Sequence, residues 1–493
     1  MQGQSGIKVD SVKKNFIYQS LYQLVSLILP FITAPYIARV LGTEGTGIYS
    51  FANSVMYFFT MAANLGITNY GNREIASCIE NKEKLSTKFW EIYYCHAFIS
   101  GICILAYGIY VMFFSTSYKD VFLWQSFQLI ATLFDITWFF AGIQKFKITV
   151  IRNFVIRIIT VFAIFGFVKE PDDVWKYLFI LSFGNFVGQV AVWSQLKQYI
   201  SLIRVNIKNV LSHIKPLLVL FVPIIAMSIY RYMDKVMIPL LSDTSELGLY
   251  ENSEKIVSLP LSLITTIGVV LLPKMSSIAS TRDVKEANRY FSLSMKYSMI
   301  LAFGLTCGLI GVSPVFAPIF FGEEFRRCSE LIPLLSITVV FLTISNSIRS
   351  QYLIPNKQDS AYIVAAFSGA FVNLVINSML IPLYGAKGAV VATIITELIV
   401  SVIHILYTFR CLHFEKIAIN ILPFILPALI MLLVIKMIGH VLGEKVITIL
   451  LQVIVGTGVF CAFTFLILLI QKDGFCLSLV NELRQKIKKL EKE

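Results

Sequence analysis

Several charged side chains lie inside runs that are otherwise apolar. The basic ones are Arg157, Arg231, Lys235, Lys255, Lys296, Arg349 and Lys436, and the acidic ones are Asp135, Asp234, Glu254 and Glu397. A charge at the centre of a bilayer costs roughly 2.5–3.5 kcal/mol even on insertion scales, so each of these groups needs a partner or a water-lined cavity. The densest stretch is Arg231-Tyr-Met-Asp234-Lys235. Asp234 lies three residues after Arg231 and Lys235 four, so all three share one helical face. One carboxylate cannot neutralise two cations, and the excess positive charge calls for another anion. A cleft lined by Arg231, Lys235 and Arg349, supported by Arg157 and Lys255 and with Arg39 at its outer mouth, suits an anion. A phosphate fits best, because guanidinium offers a planar fork of donors.

Each of these residues has a plainer role to set against this one. Ion pairs hold helices together, and long cationic side chains near span ends snorkel to the interface. Lys296 and Lys436 fit snorkelling, and Lys255 can pair with Glu251 one turn before it. Asp135, Asp234, Glu254 and Glu397 are candidates for coupling to a proton or sodium gradient, with structural pairing as the competing role. Apart from such an ion, no cofactor is called for. The five histidines form no HxxxH or HExxH pattern, and the eight cysteines form no CxxC pair. Neither set suggests a metal site, and the cysteines read as small packing residues.

The elements that carry these groups are membrane spans. The chain is 57% hydrophobic and only 14% charged, against about 25% charged in soluble domains. Apolar runs of about twenty residues indicate a polytopic helical protein, and the ten-residue alternation of a membrane barrel is missing. Spans are expected at about 15–39, 46–70, 89–114, 119–142, 150–168, 175–196, 215–241, 249–273, 292–321, 331–354, 360–383, 387–409, 417–438 and 446–470. With the N-terminus in the cytoplasm, 27 of the 42 Lys and Arg fall in cytoplasmic segments and 8 in outer loops. That is the bias the positive-inside rule requires, and it places both termini on the cytoplasmic side. The net charge of +13 is therefore mostly topological and does not point to nucleic acid. The first apolar run is too long for a signal-peptide core and reads as a retained span. The loops leave no room for a soluble catalytic domain. Segments 72–88 and 276–290 look amphipathic and are expected on the membrane surface.

Residues 35–76 have an echo 201 positions later: Gly47-Ile-Tyr49-Ser matches Gly248-Leu-Tyr250-Glu, and Asn72-Arg73 matches Pro273-Lys274. A second correspondence aligns the segment ending at Lys145 with the one ending at Lys357. The expected fold is all-α, with about fourteen transmembrane helices. Two six-helix lobes, 1–205 and 206–412, are related by a pseudo-two-fold along the membrane normal. Two additional helices over 413–471 and a cytoplasmic tail over 472–493 follow. Parallel repeats of this kind enclose a midplane cleft suited to alternating access. Pro30, Pro35, Pro223, Pro239 and Pro260 would kink the helices that border it.

PYIARVLGTEGTGIYSFANSVMYFF, LGITNYGNREIA, MDKVMI and ELGLYENSEKIVSLPLSL resemble the Wzx-type polysaccharide flippases of the MATE-like, or MOP, exporter superfamily. The resemblance covers about residues 12–412 and is strongest in 30–76 and 230–275. It implies a non-enzymatic carrier in the bacterial inner membrane. The implied cargo is an undecaprenyl-pyrophosphate-linked oligosaccharide unit, moved to the outer leaflet for O-antigen, lipopolysaccharide or capsule synthesis. A polysaccharide polymerase and a chain-length regulator would be its partners beside membrane lipid. The alternatives are a lipid II flippase, a MATE-type multidrug exporter and, more remotely, a membrane-embedded polymerase. The absence of acid from residues 15–38 weighs against carriage of organic cations, and the short loops weigh against a polymerase. Tyr57, Phe58, Tyr230 and Tyr232 offer faces on which a sugar could stack, or simply pack.

Overall fold

The computed structural model describes residues 12–113, 118–281, 283–474 and 476–478. The expected roles of the first residues, of most of the tail, and of the Tyr230 and Pro223 side chains lie outside the described residues. The described chain is helical throughout, with no strand. It packs as two compact units, residues 1–251 and 252–493. The first holds α1 (Val12–Asn64), α2 (Ile67–Ala76), α3 (Lys82–Phe113), α4 (Lys119–Leu133), α5 (Thr137–Gly142), α6 (Phe146–Phe167), α7 (Val174–Leu196), α8 (Ile207–Ser212) and α9 (Ile214–Leu241). α10 (Thr244–Thr281) begins in the first unit and continues into the second. The second then holds α11 (Val284–Phe321), α12 (Cys328–Ser336), α13 (Thr338–Ile348), α14 (Asp359–Tyr384), α15 (Ala386–Thr408), α16 (Phe414–Ile421), α17 (Ile425–Leu442) and α18 (Val446–Ile470).

Among the described residues, ten helical stretches are long and apolar enough to cross a membrane: α3, α6, α7, α10, α11, α12–α13, α14, α15, α16–α17 and α18. The two arms of α1, α4 with α5, and α9 stand where the sequence puts the other four spans. The arms of α1 part at Gly42, whose φ of 68° and ψ of −172° are non-helical. The second arm ends sooner than its apolar composition suggests. Leu65 at φ 41° and Gly66 at φ 77° turn the chain, and residues 71–74 continue α2. α2 is held by packing. A Cβ on Gly71 would lie 2.5 Å from the Trp138 ring of α5, and Ile67, Tyr70 and Ile75 join Phe89, Trp138, Phe139 and Phe140 in one buried cluster. Segment 276–290 is no separate surface helix either. Ser276–Thr281 finishes α10, and Asp283 caps α11 by accepting from the Glu286 N–H at 3.0 Å.

The second sequence correspondence shows in the backbone. Gln144, at φ 58°, closes α5 with Lys145 N–H on Phe140 O at 2.8 Å and Gln144 N–H on Ala141 O at 3.0 Å. Lys357, at φ 56°, closes its own helix with Gln358 N–H on Leu353 O at 2.9 Å and Lys357 N–H on Ile354 O at 3.0 Å. These are the same left-handed C-terminal closure. It aligns Gln144, not Lys145, with Lys357, a shift of one residue from the sequence match.

The first correspondence meets itself. A Cβ on Gly47 would fall 1.8 Å from Thr244 O, and one on Gly248 would fall 2.0 Å from Thr43 O. Each would also come within 3.2 Å of the other glycine's nitrogen. Thr43 and Thr244 are themselves 201 positions apart, so the contact is reciprocal, as at a local two-fold axis. Residues 244–251 lie against α1 for this reason, and the packing boundary falls at 251 instead of at the repeat junction near 205.

Two outcomes are expected from this packing. Gly47→Ala overpacks backbone against backbone and should destabilise the detergent-solubilised protein by roughly 1–3 kcal/mol or more, whereas Gly101→Ala, which meets nothing within 4 Å, should be neutral in the same thermal unfolding assay. After α18, burial works against the Asp473 charge, but bonds from Lys296 Nζ (2.8 Å), Tyr297 OH (2.7 Å) and the Cys476 N–H (3.2 Å) hold its carboxyl below the usual carboxylate range. A depressed pKa stabilises above the unfolded value, about 3.9, and that stability is lost as pH falls through the folded value. Denaturant titrations should therefore show a constant gap between wild type and Asp473→Asn from pH 8 to about pH 5, closing below about pH 4.

Candidate functional site

The Arg231–Lys235 face is partly neutralised within the first unit. Asp234 is buried and accepts from the Tyr250 hydroxyl at 2.7 Å. Lys235 Nζ lies 2.8 Å from Glu251 Oε2, and the Ser50 hydroxyl donates to that same oxygen at 2.8 Å. Glu251 thus reaches across to α9, not only along its own helix to Lys255, as the sequence suggests. Ser50 and Glu251 are again 201 apart, so the echo positions touch here too. Arg231 is exposed, with no ion pair or hydrogen bond among the described residues. Beside it, Tyr57 and Tyr232 stack at 3.9 Å, and the Tyr57 hydroxyl lies 3.1 Å from Ser228 Oγ. These two rings pack first on each other.

The second unit presents Arg349. It opens a π-turn, Arg349–Leu353, in which the Ile354 N–H reaches back to Arg349 O at 3.0 Å; such turns are frequent at functional sites. The half-buried guanidinium donates to Asn346 Oδ1 at 3.0 Å and to the Tyr362 hydroxyl at 3.5 Å, and lies 5.3 Å from the Tyr362 ring centroid. No carboxylate pairs with it among the described residues. Close by in sequence, Gln351 Nε2 is buried without a partner among the described residues, while Gln351 Oε1 accepts from Ser294.

The other predicted residues scatter. Arg157 lines a cavity of about 190 Å³ between α6 and α7. Arg152 lines it as well, within α6 and not in the cytoplasmic segment where the sequence count places it. Arg39 is exposed, three residues before the break at Gly42. Glu254 and Lys255 are half-buried on α10, and both are engaged. Glu397 is buried on α15. Asp135, just before α5, accepts from the Thr137 N–H at 2.8 Å and the Thr137 hydroxyl at 2.6 Å. Lys296 pairs with Asp473 instead of snorkelling, and Lys436 is exposed. Sequence reasoning missed Ser50, Arg152 and Tyr362, and did not pair Glu251 with Lys235. The one available signal was the polar pair Arg152-Asn153 inside an apolar run.

Membrane-length helices and a repeat that meets itself at Gly47 and Gly248 describe a polytopic membrane protein built on an internal duplication. The comparisons agree on the class. A solved lipid II flippase, in its inward closed conformation, superposes at a TM-score of 0.73 over 92% of this chain and 99% of that one, at 17% identity. An inward-facing multidrug transporter of the MATE family and MOP superfamily superposes at 0.59 over 82% of this chain and 98% of that one, at 12% identity. The fold is that of the MOP superfamily. The chain belongs to the polysaccharide biosynthesis protein family, whose sequence profile matches residues 12–279. It is 24% identical to a protein of Shigella dysenteriae named as an O-antigen transporter, over 79% of this chain and 98% of that one.

Removing one partner of a buried ion pair leaves an uncompensated charge and costs about 3–5 kcal/mol, whereas replacing both can be neutral. Glu251→Gln should therefore destabilise the folded protein by roughly that amount, and Lys235→Met in the same chain should restore most of it. A double-mutant cycle by thermal unfolding reads the coupling directly.

Proposed function

We propose that this protein carries undecaprenyl-pyrophosphate-linked oligosaccharide units from the cytoplasmic to the outer leaflet of a bacterial inner membrane, for O-antigen or capsule synthesis. One observation carries the reading: Arg349, a half-buried cation in an apolar segment, rests on neutral partners only among the described residues. Such a group needs an anion, and a pyrophosphate supplies one that matches the guanidinium fork. Family membership supports a polysaccharide precursor as cargo, and the name of the Shigella relative supports O-antigen units.

In this reading the cleft first opens to the cytoplasm. Pyrophosphate and sugars enter while the polyprenyl tail stays in lipid. Arg231 and Arg349 compensate the pyrophosphate as it leaves water, which lowers its desolvation cost. The lobes then rock and release the head group outward. Both termini face the cytoplasm, and the product passes to a polymerase and its chain-length regulator. Proton or sodium coupling falls to one of the four acids Asp135, Asp234, Glu254 and Glu397.

Complementation of a deletion strain tests the proposal. Arg231→Ala and Arg349→Ala should each abolish surface polymer at normal protein level, with lipid-linked single units accumulating on the cytoplasmic face. Normal polymer from both variants overturns the site. Accumulation on the outer face would favour a polymerase, and a drug-resistance phenotype would favour the multidrug alternative.

A further inference from the structure

The cavity between α6 and α7 lies wholly inside the first unit, apart from the Arg231 region. Its polar lining comprises Arg152, Asn153, Arg157, Thr160 and Asn185. Arg157 is eleven residues into a 22-residue helix, roughly 16 Å from its start at 1.5 Å per residue. That is the middle of a span, where a second arginine one and a half turns away is expensive to keep. The pocket is also built. Gly184 and Gly188, four residues apart on α7, let the helices approach closely: a Cβ on Gly184 would lie 2.6 Å from Thr160 Cγ2, and one on Gly188 3.6 Å from Arg152 Cδ. The Arg152 guanidinium is fixed on carboxamides and backbone, with Nη1 2.7 Å from Gln189 Oε1 and 3.4 Å from Gly188 O, and Nη2 2.6 Å from Asn153 Oδ1. Asn185 Nδ2 donates to Gln128 Oε1 at 3.0 Å, which leaves its own carboxamide oriented along the cavity wall.

We propose that this pocket is a phosphate-binding subsite, in which Arg157 and Arg152 receive the phosphate of a membrane lipid that enters between α6 and α7. Beside the apolar Ile156 and Leu181, the polar lining carries two guanidiniums, one of them fixed at Arg152, and this pairing suits a tetrahedral anion more than a sugar or an apolar drug. Two sources share this chemistry: the pyrophosphate of the carried lipid and the headgroup of a resident anionic phospholipid. The first rests on the proposed function; the second does not.

Full-length protein in phosphatidylcholine nanodiscs is titrated with undecaprenyl pyrophosphate and, separately, with phosphatidylglycerol, and binding is followed by native mass spectrometry. The Arg152→Gln/Arg157→Gln double variant should bind one probe at least tenfold more weakly than wild type, and Arg157→Lys should retain most of the affinity. Loss for undecaprenyl pyrophosphate alone assigns the pocket to the substrate, and loss for phosphatidylglycerol alone assigns it to a resident lipid. Unchanged affinity for both overturns the subsite. Arg157→Gln alone gives the same reading if the double variant does not fold, because Arg152 is the residue anchored to α7. The readout is binding and not surface polymer, so a failure here is distinct from a failure at Arg231 and Arg349.

Discussion

A single carboxylate oxygen joins the two copies of the repeat. Glu251 Oε2 takes a proton-bearing group from each side, the Ser50 hydroxyl on α1 and the Lys235 ammonium on α9. In a low-dielectric interior neither the acid nor the lysine is tolerated alone. Their pairing therefore constrains how α1, α9 and the start of α10 can lie. The Gly47–Gly248 contact one turn away serves the same end by steric means, since only residues without a Cβ fit there. Charge pairing and backbone packing thus act at one place, and Arg231 on α9 is displayed from the frame they set.

That pairing also redistributes the charge. From sequence, Arg231, Asp234 and Lys235 look like a patch with one surplus cation. In the structure Asp234 is occupied by Tyr250 and Lys235 by Glu251, so the surplus moves to the exposed Arg231. Arg349 is held differently, on an amide and a phenol at a π-turn. Neutral acceptors orient a guanidinium without cancelling its charge. The two strongest anion-binding candidates are thus the ones whose positive charge survives local bookkeeping.

The helical architecture was largely legible in the chain, because hydropathy reports spans directly. The repeat was legible for another reason: glycines at a backbone crossing resist replacement, so Gly47 and Gly248 stand out against apolar background. The site was only half legible. Lys235 and Glu251 are sixteen residues apart across a helix junction, and no helical spacing rule connects them. The early stop at Leu65 and Gly66 was hidden because the apolar run continues through it, and only the packing of Gly71 on Trp138 shows why the chain turns there. Asp135 looked like a buried functional acid, although its role depends on Thr137 two residues away.

Ser50 and Glu251 occupy equivalent positions in the two copies and also face each other. In a duplicated chain, a residue near the axis is selected against its own twin. Two glutamates there would repel, and two serines would leave Lys235 without a counter-ion. The mismatch of Ser and Glu satisfies both demands, so divergence between the copies at this position stabilises the fused chain.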